Sequence, residues 1–266
     1  MAAAPSLISS GCVLAKAIVE NIVYTIFAFD SRSSLQRTAI FLIFFLIIHC
    51  SGNLLLFKND KGDQFNAYGY FLRNSPIIII IETYLLIATI IHSCSALYIV
   101  VKNEKYKSFI KSGKTKYSGN DTWIDCNRIR LSFTGTIILA FLIIHLYDFR
   151  FGKEYEAPKL KSMLKNPWYE LLGYGEKNVT FVRDLYRIQM EVFKDVYHCI
   201  FYIACMYFLS IHLKHGWDRA NIRIIPKEHR SNTKMIINLG FDFLCLLFAL
   251  TVACSYLSIH GYMSVV

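Results

Sequence analysis

Five long apolar segments, almost free of charge, constrain the fold of this chain more than any other feature. They cover residues 38–57, 76–101, 131–147, 196–213 and 235–266, and they contain two acidic residues, Glu82 and Asp242, and no Lys or Arg. A helix that crosses a membrane needs about 20 mostly apolar residues. The sequence therefore predicts an all-α membrane protein, a bundle of five transmembrane helices.

The composition and the segment boundaries exclude a separate soluble domain. Of the 266 residues, 55% are hydrophobic and 18% are charged, whereas soluble domains average about 45–50% and about 25%. We expect residues 34–266 to form the transmembrane domain and residues 1–33 to form an N-terminal segment on the inner side, with an interfacial helix as one reading. No internal repeat stands out. The eight cysteines form no C-x-x-C pair, so no zinc or iron–sulfur spacing is present.

The placement of basic residues predicts the orientation. The residues before the first segment, the loop between the second and third and the loop between the fourth and fifth lie on the same side of the membrane as the N-terminus. They hold 17 of the 29 Lys and Arg residues. The loops on the opposite side hold 12, of which nine lie in a long third loop that also carries eight acidic residues. The positive-inside rule then places the N-terminus inside.

The net charge of +10 does not indicate a nucleic-acid-binding protein. The basic residues flank membrane segments and lack the interleaved aromatic residues of a base-stacking surface. A rim that faces membrane lipid or a partner protein explains them better.

Histidines stand in four consecutive apolar segments, at His49, His92, His145 and His212. Ionisable residues are costly in a bilayer and usually face the bundle interior or a cofactor. At about 1.5 Å per residue, His49 and His145 lie about 17 and 21 Å from the inner ends of their helices. His92 lies about 14 Å from its inner end, and His212 lies within one turn of its own. Two levels of paired histidines suit two bis-imidazole haems, which carry electrons.

Two other histidines compete for these roles. His198 lies about four turns from His212 on roughly the same helix face, and it is an alternative outer ligand. His215 is an alternative inner ligand, although its place beside Lys214 and Gly216 suits an interfacial role better. A third reading is that all the histidines only pack and hydrogen-bond within the bundle.

Five short motifs in order resemble a known family. They are His-Cys-Ser-Gly-Asn-Leu at 49–54, Asp-Gln-Phe-Asn-Ala-Tyr at 63–68, His-Leu-Tyr-Asp-Phe-Arg at 145–150, Asp-Leu-Tyr at 184–186 and His-Leu-Lys-His-Gly at 212–216. With one histidine on each of four helices, the chain resembles the five-helix, di-haem cytochrome b membrane anchor of succinate dehydrogenases and fumarate reductases. The chain departs from this family after Gly216, where Trp217 and Asp218 stand, and at Ser210, where some members carry a Glu.

The resemblance implies a fold, a function and a ligand set. The fold is a five-helix bundle with haem b sites between helices. The distal haem would be held by His49 and His145, and the proximal haem by His92 and His212. The chain would be the quinone-reacting membrane subunit of succinate:quinone oxidoreductase, respiratory complex II of the tricarboxylic acid cycle. A flavoprotein and an iron–sulfur subunit would dock on the inner face. The dicarboxylate site would lie on another subunit, with no catalytic residue in this chain.

Two further groups of residues are candidates for binding roles. Glu82, a partly buried carboxylate near the outer end of its helix, is a candidate quinone contact with Asn53 and Asn66. An inner site near His215, Trp217, Asp218 and Arg219 is an alternative. Candidate partners for the haem propionates are Arg32, Arg37, Arg128 and Arg130, because guanidinium groups pair well with carboxylates.

Two other functions remain open from the sequence. One is a stand-alone transmembrane cytochrome b that carries electrons. The other is a non-redox membrane subunit whose histidines are structural. The eight cysteines and the Met-Ala-Ala-Ala start favour the mitochondrial inner membrane over a bacterial cytoplasmic membrane.

Overall fold

The described residues form seven α-helices, and five of these are long and apolar enough to cross a membrane. This computed structural model describes residues 31–102, 122–158, 181–220 and 230–262, with side chains described for 33–99, 130–158, 181–218 and 233–262. The helices are α1 (Ser31–Asn53), α2 (Asp63–Asn74), α3 (Pro76–Lys102), α4 (Thr122–Leu146), α5 (Leu185–Val192), α6 (Val196–Ala220) and α7 (Arg230–Ile259). The long helices are α1, α3, α4, α6 and α7, in agreement with the predicted all-α membrane class.

Several helices extend beyond the apolar segments that predicted them. The helix α4 begins nine residues before its segment, and α6 continues seven residues past its own. The apolar segment marks only the part that fits the hydrocarbon, whereas the helical hydrogen-bond ladder continues into the interface. Helix α3 begins at Pro76, a first-turn position where the missing N–H has no helical partner to lose.

Four of the long helices carry the paired histidines, and the fifth packs against two of them. Helix α1 packs against α3, α3 against α4, and α4 against α6, while α6 also contacts α1. Helix α7 lies along α6 and contacts α1. The main apolar core lies between α6 and α7, where Cys205, Leu209, Phe241 and Cys245 are buried. The four histidine-bearing helices therefore surround a common interior.

Short elements cover one end of the bundle, which we call the cap end. They are a 3₁₀ turn (Leu54–Phe57), a π-helical turn (Tyr147–Phe151), α2, α5 and the strands β1 (Glu156–Pro158) and β2 (Phe181–Arg183). The two strands pair antiparallel, with Ala157 opposite Val182. We call the opposite end, where α1 and α4 begin, the N-terminal end.

One buried amide joins the two loops of the cap. Asn66 on α2 is 3% exposed; its Nδ2 donates to Asp184 Oδ1 at 2.9 Å, and its Oδ1 accepts from the backbone N–H of Tyr186 at 2.9 Å. Asp184 Oδ1 also accepts from the backbone N–H of Arg187, which caps the start of α5. Burial and the nearby Asp184 and Asp60 carboxylates raise the pKa of Tyr186.

Some expected features lie outside the described residues. They are residues 1–30, with the expected interfacial helix, and most of the lysine-rich second loop, residues 103–121. The side chains of Arg32, Arg128 and Arg219 also lie outside them.

Candidate functional site

Two histidine pairs lie between helices at two levels of the bundle. His49 on α1 faces His145 on α4, with ring centroids 5.9 Å apart. His92 on α3 faces His212 on α6, with ring centroids 6.3 Å apart. We call these the cap-end pair and the N-terminal-end pair. The structure thus brings together the same partners that the helix depths suggested.

The spacing within each pair leaves room for a metal between the rings. Imidazole nitrogens bind a metal at about 2 Å, so two rings on opposite sides of one ion have centroids about 6 Å apart. Both pairs have this separation. All four histidine side chains are half-buried.

A threonine hydroxyl holds each ring of the N-terminal-end pair. Thr38 Oγ1 on α1 lies 3.2 Å from His92 Nδ1, and Thr134 Oγ1 on α4 lies 3.2 Å from His212 Nδ1. Both threonines are buried, at 6% and 3% exposure. Each hydroxyl also donates to a backbone carbonyl four residues earlier, Ser34 or Arg130, at 2.8 and 2.9 Å.

This arrangement favours one tautomer in both rings. With each threonine hydrogen directed to a backbone carbonyl, the threonine oxygen can accept from the histidine Nδ1–H. That tautomer leaves the lone pair on Nε2. A histidine that binds a metal usually donates its other ring N–H to such a partner, which orients the ring. The N-terminal-end pair therefore has the second-shell contacts of a ligand pair.

The cap-end pair is supported by aromatic rings instead. Phe45 stacks on His49 with centroids 5.4 Å apart, and Phe141 stacks on His145 with centroids 5.6 Å apart. The Nδ1 of His145 is buried and has no hydrogen-bond partner among the described residues. The two levels thus differ in the polarity of their surroundings.

A short sequence repeat in α1 and α4, which the sequence analysis missed, contributes to both levels. Each copy carries a threonine at the N-terminal-end level and a histidine at the cap-end level. The spacing Leu-x2-Thr-x6-Phe-x3-His occurs at 35–49 and again at 131–145, and both copies end in Phe-Leu-Ile-Ile-His. Threonine and histidine are 11 positions apart in each copy, which places the two levels about 16 Å apart along the helix. Comparing the apolar segments with each other would have identified Thr38 and Thr134.

His198 has a different partner from the four paired histidines. Its Nε2 lies 2.9 Å from Asp148 Oδ2, and Tyr202 donates its hydroxyl to the same oxygen at 2.6 Å. Its backbone N–H is bonded to Asp195 at the start of α6. The Nε2 of His198 is therefore engaged, which weighs against this residue as an alternative outer ligand.

The candidate quinone residues at the cap end are not brought together into a pocket by their contacts. Glu82 is exposed, with a side-chain exposure of 52%, and its Oε2 lies 3.5 Å from the Arg150 guanidinium. The expectation that Glu82 is partly buried was wrong, because α3 turns this position away from the bundle. Asn53 donates back to the His49 carbonyl at 3.0 Å. Asn66 uses its amide in the cap, as described above.

The two described arginines of the propionate set lie at the N-terminal end. Arg37 is exposed and donates to Ser33 Oγ at 2.9 Å. Arg130 is exposed, one turn before Thr134. Both are at the level of the His92–His212 pair, where a haem carboxylate would need a cation.

Comparisons with protein-family models, with curated proteins and with solved structures found no match for this chain. The geometry of the described residues therefore carries the functional argument.

The donor set distinguishes a haem from a bare metal ion. The described residues contain no group of three or more His, Cys, Asp or Glu side chains able to hold a metal ion. A haem brings four ring nitrogens of its own and needs only two axial ligands from the protein. Two cross-helix pairs, each with one histidine from either helix, fit this requirement.

Proposed function

We propose that the chain is the membrane-anchor cytochrome b subunit of a succinate:quinone oxidoreductase, of the respiratory complex II type. The observation that carries the proposal is the pair of facing histidines at each of two levels, with centroids 5.9 and 6.3 Å apart. The family motifs at 49–54, 145–150 and 212–216 support it.

The chain's own residues would bind and orient two haem b groups. His92 and His212 would hold the proximal haem through Nε2, with Thr38 and Thr134 orienting the rings. His49 and His145 would hold the distal haem, with Phe45 and Phe141 restricting ring rotation. A bis-histidine haem has no open coordination position, so when bound it supplies one-electron transfer.

The charge distribution supports a docking side for the partner subunits. An iron–sulfur subunit and a flavoprotein would dock on the N-terminal end, where the basic loops lie, and this end would be inside. Electrostatic docking of this kind favours fast and specific association. Quinone is the proposed substrate. We place the complex in the mitochondrial inner membrane.

The test is purification of the complex through a tag on this chain, with haem counted per chain from a reduced-minus-oxidised spectrum. We expect two b-type haems and a co-purifying flavoprotein. Changing His92 or His212 to Ala should remove one haem, and changing His49 or His145 to Ala should remove the other. His260→Ala is the matched control, since this exposed histidine contacts the Tyr256 carbonyl at the end of α7.

Each other outcome corresponds to a different function. Two haems without a flavoprotein would indicate a stand-alone electron carrier. A purified chain without haem would contradict the proposal and favour structural histidines.

A further inference from the structure

A charged pair lies within the candidate membrane spans of α6 and α7, on the lateral surface of the bundle. Asp242 is in the α7 span, Thr233–Ile259, about 14 Å along the helix from the start of that span. Ser210 Oγ donates to Asp242 Oδ1 at 2.6 Å, and Lys214 Nζ contacts the same oxygen. Charged side chains at this depth are costly and usually mark a functional site.

The pair is accessible from the side rather than enclosed. The side chains of Asp242 and Lys214 are 49% and 30% exposed. The neighbouring face of α7 is apolar and exposed at Leu239, Phe243 and Leu246. A molecule dissolved in the hydrocarbon would therefore meet polar groups here on an otherwise apolar surface.

Two further polar atoms lie one helical turn closer to the N-terminal end. Trp217 is three residues after Lys214 on α6, and Asn238 is four residues before Asp242 on α7, so each lies on the same face as its neighbour. The Trp217 Nε1 and Asn238 Oδ1 atoms are buried and have no hydrogen-bond partner among the described residues. Trp217 packs edge-on against Phe241, with centroids 6.2 Å apart. A buried donor and a buried acceptor left unpaired among the described residues are unusual and indicate a place where a further polar group could bind.

We infer that this α6–α7 cluster, consisting of Ser210, Lys214, Trp217, Asn238 and Asp242, binds the headgroup of a quinone. The inference rests on the proposed function and gives the location at which its substrate, quinone, would bind. The carbonyl oxygens of a quinone accept hydrogen bonds, which Lys214 and the Trp217 N–H can donate. The hydroxyls of the quinol donate hydrogen bonds, which Asp242 and Asn238 Oδ1 can accept. The cluster thus offers partners to both oxidation states, and the lipid-soluble tail would lie along the apolar face of α7.

The chemistry of the cluster disfavours an anionic lipid headgroup. Lys214 already contacts a carboxylate, so the pair carries no net charge, and Asp242 would repel a phosphate. A neutral ring with polar edges avoids this repulsion.

The cluster is also close to the proposed proximal haem. Ser210 and Lys214 flank His212 in sequence, but two residues correspond to about 200° around an α-helix. His212 therefore faces the bundle interior while its two neighbours face α7. One helix, about 10–12 Å in diameter, separates the cluster from the His92–His212 pair.

The first experiment is photolabelling of the whole complex in membranes with an azido-substituted benzoquinone, followed by peptide mapping. We expect label in residues 210–217 or 238–242, and we expect excess decyl-benzoquinone to compete it away. Label confined to another region, such as the Glu82 helix, would overturn the inference. A cross-link from these residues to another polypeptide, without quinone label, would mean that a partner helix covers the cluster.

The second experiment removes single hydrogen-bonding atoms. Trp217→Phe and Asn238→Leu should each raise the KM for decyl-benzoquinone about tenfold, as expected for one lost hydrogen bond, with haem content unchanged. Ser258→Ala is the matched control, because Ser258 Oγ on α7 is also buried and unpaired among the described residues but lies near the cap end.

The two proposals fail in distinguishable ways. Unchanged KM values and no label at the cluster, with both haems present, would remove this site and leave the electron-transfer function standing. A wild-type complex without haem would remove the proposed function whatever the labelling shows.

Discussion

Thr38 on α1 and His92 on α3, 54 residues apart in the chain, are joined by a 3.2 Å contact between Oγ1 and Nδ1. The same contact joins Thr134 and His212 between α4 and α6. In each case the hydroxyl and the ring lie on neighbouring antiparallel helices. The preceding long helix, α1 or α4, therefore orients each ring.

The threonine hydroxyls are the first target for mutation. Thr38→Val and Thr134→Val keep the side-chain shape and remove the acceptor of the Nδ1–H. We expect each to weaken binding of the proximal haem about 10- to 100-fold, as is typical when the hydrogen-bond partner of a metal ligand is lost. The measurement is the amount of haem that each chain retains during dilution, monitored by absorption spectroscopy.

Thr136→Val is the matched control for these two variants. Thr136 is exposed, also lies on α4, and donates only to the Ser132 carbonyl. Equal haem loss in this control and in Thr134→Val would show that the hydroxyl contact to His212 does not matter.

The space beside His212 predicts a second effect. A Cβ added at Gly135 would lie 3.2 Å from His212 Cε1, so the ring has to shift by a few tenths of an ångström. Crowding of this kind costs about 1–3 kcal/mol, and we expect Gly135→Ala to lower proximal haem affinity about tenfold. Gly216→Ala is the control on α6, because its Cβ would meet nothing within 4 Å. Equal haem affinity in the two variants would contradict the prediction.

His198→Gln tests whether His198 binds a haem or only contacts Asp148. We expect this variant to keep both haems, because the His198 Nε2 is 2.9 Å from Asp148 and is not free to bind iron. Gln retains a donor for Asp148, whereas His198→Ala leaves that acceptor one partner short and should cost about 1–3 kcal/mol of stability. Loss of a haem in His198→Gln, measured by absorption, would reinstate His198 as a ligand.

Asn66 offers a test of a structural role against a quinone contact. Asn66→Leu removes one of the donors to Asp184 Oδ1 and the acceptor of the Tyr186 N–H, and we expect a loss of about 1–3 kcal/mol in stability. The measurement is the unfolding temperature in detergent, together with the KM for quinone at low temperature. Asn74→Ala is the control, since Asn74 is exposed on the same helix and donates to the Tyr70 carbonyl within that helix. A raised quinone KM without a fall in unfolding temperature would return Asn66 to the quinone candidates.

The local sequence was enough to predict the five long apolar helices of the described residues and the residues on them. A run of about 20 apolar residues is a property of the chain itself, because it depends on transfer from water to hydrocarbon and not on neighbouring helices. The depth of each histidine followed from residue counts alone. The start of α4, the end of α6 and the start of α7 did not follow, because helices continue beyond the hydrocarbon.

Only the tertiary structure decided which side chains face each other. The spanning helices are apolar on all sides, so no hydrophobic stripe indicates which face turns inward. Helix rotation is set by packing between distant segments, and this packing places Thr38 on His92 and His198 on Asp148. It also turns Glu82 to the surface and brings Lys214 to Asp242. The sequence by itself determined which residues enter the membrane, whereas the packing of the helices determined their partners.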